Sequence, residues 1–196
     1  PQVHAHSGTA AAGHHPHRDC EWWWWRRRRR RWIGAPTVRS RANFRLMRTV
    51  EHFDAMGTWV EVRADSPVGH ATVRADFDVA ESCFSRFRDS SELSRMNASP
   101  AAQVELSRLL AAVMTTAHEL VQRTNGLVDP AVGGRVIDWG YDRTFSELGE
   151  VAAVPEAEDR PAEWSLAGNL IERAPGTRFD LGGIAKGWTA DRAVEA

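Results

Sequence analysis

"RFDLGGIAKGWTADRA", residues 178–193, contains Lys186, the only lysine of a chain whose other twenty-four basic residues are all arginine. The surrounding pattern reads as a short strand, "TRFDL", followed by a Gly182-Gly183 turn and a helix that starts within "IAKGWTADRAVEA". Paired glycines let a backbone turn tightly and come close to a ligand. The amide groups at a helix start suit an anion. A cation in the first turn opposes the helix dipole, so Lys186 makes sense there if a phosphate or carboxylate binds beside it. Asp180 can then bind a ribose or base, or help to place a metal ion. The stretch is neither a P-loop nor a G-x-G-x-x-G signature. Read alone, a packed turn with a solvated lysine explains it slightly better.

Working outward, "EWSLAGNLIER" predicts a hairpin turning at Gly168-Asn169, and "GTWVEVRA" (57–64) alternates as a strand. In "ATVRADFDVAESCFSRFR", Val73, Phe77, Ala80, Phe84 and Phe87 share one helix face. "RDSSELSRMNASP" reads as polar and turn-rich. Ser99 as N-cap with Pro100 behind it predicts a second helix, carrying Leu106, Leu109, Leu110, Val113, Ala117, Leu120 and Val121 and stopping at Asn125-Gly126. Strands and helices without a β-α-β rhythm predict an α+β fold.

Composition narrows the function classes. Residues 1–46 carry ten arginines against Asp19 and Glu21, so the remaining 150 residues hold a net charge of about −9. An acidic body does not bind nucleic acid by counterion release. Cys20 and Cys83 stand far apart in no ligand-like spacing, which argues against a disulfide scaffold or zinc site. No apolar run approaches membrane-spanning length and no signal peptide or lipoprotein cysteine is visible, so a cytoplasmic location without membrane association is expected. "CEWWWWRRRRRRWIG" is low-complexity; it reads as translated GC-rich repeat DNA, with Met47 as a plausible start, and residues 1–46 are expected to be a disordered arm. His52, His70 and His118 have no motif around them, and no catalytic triad can be drawn.

Individually, Met56-Gly57, "FSRFRDSSELSRMN" and "TNGLVDPAVGGRVIDWGYDR" read as structural. In order with "DLGGIAKGWTADRA", they resemble the ApbE family, the FAD:protein FMN transferases, over residues 47–196. The resemblance implies an α+β fold of ApbE type (T-fold-like), an antiparallel sheet with packed helices. It implies a Mg²⁺-dependent enzyme that cleaves FAD, joins FMN through its phosphate to a Thr or Ser hydroxyl of a target flavoprotein, and releases AMP. Some relatives pass FMN to water instead, as FAD pyrophosphatases. The partners implied are FAD and an acceptor flavoprotein with an FMN-binding domain, and no nucleic acid.

By motif position, Met56 contacts the flavin, and Phe87, standing where the family commonly has Tyr in S-x-Y-R, stacks on its ring. Leu127, Val128 and Asp129 match G-x-F-D, which lines the FAD site, with Val128 replacing an aromatic. Asp180 and Lys186 match FAD-contacting positions, Lys186 facing the pyrophosphate. The Gly183 carbonyl takes the place of one Mg²⁺ ligand. An Asp and a Thr of a D-x-x-x-T motif complete the metal site in a C-terminal part, so residues 47–196 are expected to be the N-terminal portion of the domain. Two rival readings remain: a flavin-binding module without catalysis, and a nucleic-acid binder that uses the Arg/Trp arm.

Overall fold

A computed structural model describes residues 49–143 and 163–194; the arm of residues 1–46 and Met47 lie outside the described residues. The first strand, β1 (Thr49–Ala55), pairs antiparallel with β2 (Thr58–Ala64), from Thr49 opposite Ala64 to Ala55 opposite Thr58. Only Met56 and Gly57 join them, at φ 51° and 71°. Positive φ at both central residues is what a two-residue turn needs to match strand twist. β2 agrees with the expected strand. β1 was not anticipated, because Glu51 on the inward face and Val50 on the outward face mask the alternation of Phe53 and Ala55.

Helix α1 (Pro67–Phe84) starts where Ser66 accepts the amide of Gly69, with Pro in the first turn. It serves two cores. Val73 and Phe77 pack on Phe53, Ala55 and Val62 of the hairpin, while Ala80, Cys83 and Phe84 enter the larger core. The helix stops at Phe84 because Ser85 turns to ψ 126°. Phe87 therefore does not complete the helix's apolar face, as the spacing predicted, and stands 37% exposed beyond it.

The segment expected to be a polar turn holds α2 (Glu92–Ala98), N-capped by Ser91 and burying Leu93 and Met96. Ser99, expected to open a helix, instead closes α2, and α3 (Arg108–Arg123) begins at Ser107. Two long-range ties override the local cap signal. Residues 103–105 are spent as strand β3 (Gln103–Glu105), and the Glu92 carboxylate holds the Ser107 amide and hydroxyl at 2.7 and 2.6 Å. The stop at Asn125-Gly126 is as expected, with φ 52° and 81°.

A 3-10 turn (Pro130–Val132) leads into α4 (Gly133–Asp138). Strands β4 (Trp164–Ala167) and β5 (Leu170–Arg173) form the anticipated hairpin at Gly168-Asn169, and β5 lies between β3 and β4 in an antiparallel sheet. Helix α5 (Ala185–Val194) follows. Helices packed on antiparallel strands make the fold α+β, as expected. Leu110, Val113 and Met114 of α3 meet Ile171, Phe179 and Leu181 in the main core.

Arg173 ends β5 almost fully buried, donating to the carbonyls of Thr177, Met96 and Ser99 at 2.7, 2.7 and 2.6 Å. Burial lowers its pKa, but guanidinium remains charged in proteins. It thereby caps the C-terminal carbonyls of α2 and fixes the chain that leaves β5. Arg173→Met, of similar length, leaves those carbonyls unsatisfied and is expected to cost about 3 kcal/mol in urea unfolding.

The hairpin is tied to α1 through Glu51, which accepts from Arg74 at 2.8 Å and lies 3.1 Å from Nδ1 of buried His70. The Arg74 hydrogen bond, foremost, holds the Glu51 carboxyl below its ordinary 4.5. A depressed carboxyl stabilises the fold above its unfolded pKa, and that contribution drains as pH falls through the folded value. Below pH 4.5, Glu51→Gln should therefore show a shallower loss of stability than the wild type when melting is followed against pH.

Candidate functional site

The "TRFDL" stretch was expected to be a strand, yet it joins no sheet among the described residues. It is nonetheless hydrogen-bonded along both edges. The Asn97 side chain accepts from the Phe179 amide and donates to the Phe179 carbonyl, both at 2.8 Å. On the other edge the Gly133 amide donates to the Arg178 carbonyl at 2.9 Å, and the Asp180 amide to the Pro130 carbonyl at 2.8 Å. Buried backbone groups need such partners; here one side chain and one loop replace neighbouring strands. Phe179 and Leu181 point into the core, 0% and 1% exposed, so alternation leaves Asp180 on the opposite side.

Gly133 is required for this approach. A Cβ there would sit 2.9 Å from the Arg178 carbonyl oxygen. Asp129, one of the anticipated FAD-lining residues, sets up the same loop by accepting the Ala131 amide at 2.8 Å. Pro130 then carries that loop to the Asp180 backbone.

Asp180 divides its two oxygens. Oδ1 accepts the Gly182 amide at 2.6 Å, and Oδ2 faces Nε of Arg86 at 2.5 Å. Both charged side chains are largely buried, 7% exposed for Arg86 and 14% for Asp180. The Arg86 guanidinium also lies 4.1 Å from the Phe87 ring centroid and 4.5 Å from that of Tyr141. These two rings meet edge-on at 5.5 Å.

Lys186 sits in the first turn of α5 with Nζ 3.2 Å from the Gly182 carbonyl, leaving further N–H groups for another acceptor. The amides of Gly182, Ile184 and Ala185 are already engaged, by Asp180 and by the Leu181 carbonyl. Charge near this turn thus comes from side chains more than from helix amides. Gly183 is exposed, with open space where a Cβ would be.

The structure therefore gathers Asp180, Gly183, Lys186 and Phe87, with Asp129 one residue from the Asp180 contact. Leu127 is 90% exposed and Val128 38%, on the turn after α3. Met56 is placed by the hairpin, where it packs against both cores. A non-glycine residue at φ 51° costs about 1–2 kcal/mol, and such strain is often kept where a side chain has work to do.

Mg²⁺ demands near-octahedral oxygen coordination. No group of three His, Cys, Asp or Glu side chains converges among the described residues, and both Asp180 oxygens are engaged. The described residues do not form a magnesium site by themselves.

Two residues escaped sequence reasoning. Arg86 and Asn97 both lie in "FSRFRDSSELSRMN", but arginine is abundant in this chain and an asparagine before a Ser-Pro reads as a turn residue. Asn97→Ala removes both partners of the Phe179 peptide and should destabilise the protein by about 2 kcal/mol in urea unfolding.

A model of the ApbE family matches residues 56–196. An FAD:protein FMN transferase of Rhodobacter capsulatus is 31% identical over 110 residues, covering 52% of this chain and 21% of that protein. Among solved structures, the ApbE protein of Thermotoga maritima superposes with a TM-score of 0.63 at 23% identity, over 76% of this chain and 52% of that one. The flavin transferase ApbE of Vibrio cholerae does so with a TM-score of 0.64 at 24% identity and the same coverage. The chain spans about a fifth of the transferase and about half of each structure. At such identities the structural likeness speaks for the fold.

Proposed function

The chain belongs to the ApbE family, and we propose on that premise that it forms the FAD-binding part of an FAD:protein FMN transferase. In the proposed reaction a Thr or Ser hydroxyl of an acceptor flavoprotein attacks the FMN-side phosphorus of FAD. The bond to the AMP phosphate breaks, the hydroxyl proton leaves, and AMP departs. The acceptor carries an FMN-binding domain, and the setting is the cytoplasm.

The observation that carries this reading is the Asp180 turn. It holds Lys186 at the start of α5 with the Gly182 carbonyl as its hydrogen-bond partner among the described residues, leaving further N–H groups for an anion. A pyrophosphate supplies that anion. Phosphoryl transfer relies on positioning and on fixed charge aimed at the transferring group. Lys186 would hold a phosphate oxygen, Phe87 would offer its exposed ring to the isoalloxazine, and Met56 would contact the flavin from its strained turn. Mg²⁺ belongs to the proposed reaction, with the Gly183 carbonyl as the ligand this segment would give it, and no step here is routed through it.

FAD hydrolysis is the second reading, favoured if AMP release proceeds without an acceptor. Flavin fluorescence, with chromatography of AMP and of flavin-labelled acceptor, tests both. The wild-type chain is expected to bind FAD, and absence of binding would sink the proposal. Lys186→Ala should slow AMP release about a hundredfold; unchanged turnover would remove Lys186 from the mechanism.

A further inference from the structure

Arg86 is charged, buried and central to the site, yet the proposed reaction gives it no task. An arginine and a carboxylate commonly pair side-on, two N–H groups meeting two oxygens. Asp180 does not complete such a pair. Its Oδ2 takes Nε of Arg86, but Oδ1 is committed to the Gly182 amide. Nη2 of Arg86 is buried, with no hydrogen-bond partner among the described residues. Leaving a buried donor unpaired costs more than an ordinary hydrogen bond returns, and most of all on a charged group. Such a group in a folded protein calls for a missing acceptor.

The guanidinium has little freedom to find one. Phe87 and Tyr141 lie close to it at 4.1 and 4.5 Å, and Asp180 anchors Nε. An acceptor has to come to it. Tyr141, partly buried, stands beside it in edge contact with the partly exposed Phe87 ring.

We propose that Arg86 is a ligand-binding residue of this site, its Nη2 donating to an oxygen of the bound flavin nucleotide while Asp180 holds the guanidinium in place. The inference rests on the reading of the chain as a flavin-nucleotide binder. Charge favours a phosphate oxygen over a ring carbonyl. Asp180 pairs with Arg86 and holds the Gly182 amide, and the carbonyl of the same glycine accepts from Lys186, so the turn sets both cations.

The test compares wild type with Arg86→Lys, which keeps a cation for Asp180 and loses the second donor. FAD, FMN and riboflavin are titrated by flavin fluorescence, with melting temperature recorded alongside. FAD and FMN should bind about tenfold more weakly to the variant, and riboflavin equally well. A matching loss for all three at an unchanged melting temperature also supports the donor role, and moves the acceptor to the flavin ring. Unchanged affinities, or a loss seen only with a lowered melting temperature, overturn the proposal and leave Arg86 a structural partner of Asp180. Failure of the wild type to bind any of the three defeats the transferase reading itself, and this inference with it. On wild-type protein, the Arg86 guanidinium N–H resonances should shift and exchange more slowly on adding FMN. Resonances that ignore bound FMN contradict the proposal even if the variant does not fold.

Discussion

The extended backbone of residues 177–181 is gripped along both edges, by the amide of Asn97 on one side and by Pro130 and Gly133 on the other. Outside a sheet, an extended segment has no ladder to satisfy its amides and carbonyls, and burying it unsatisfied is costly. These ties meet that need and fix which way each side chain faces. Phe179 and Leu181 enter the core, and Asp180 emerges opposite them. Arg173 secures the start of the same segment through the Thr177 carbonyl.

From Asp180 onward the site follows by short steps. The carboxylate closes the Gly182 turn, the turn starts α5, and α5 sets Lys186 beside the Gly182 carbonyl. A Cβ at Gly182 would lie 2.9 Å from Oδ1 of Asp180, so the glycine is needed for that closure. Arg86 approaches from beyond α1 and compensates the buried carboxylate, which would be expensive alone. The local charges are thus coupled to the backbone path, and a shift of the segment would move them together.

Much of this was legible in the sequence. The Gly168-Asn169 hairpin, the strand within 57–64, the helix stop at Asn125-Gly126 and the α+β class all follow from turn chemistry and periodicity. The ordered motifs identified the family. What misled were places where distant partners overrule local signals. Ser99-Pro100 looks like a helix start, but β3 pairing and the Glu92–Ser107 contact delay the helix by several residues. The strand-like "TRFDL" satisfies its backbone through a side chain and a loop, which no periodicity reveals. Lys186 attracted attention because it is unique, whereas Arg86 was hidden among many arginines.

Amide hydrogen exchange of Phe179 and Asp180 tests the central claim most directly. If the two-edged clamp holds the segment as described, both amides should exchange only with global unfolding, as slowly as the core amides of α3. Exchange at the rate of a surface loop would contradict the account, because Asp180, the Gly182 turn and Lys186 would then have no fixed support.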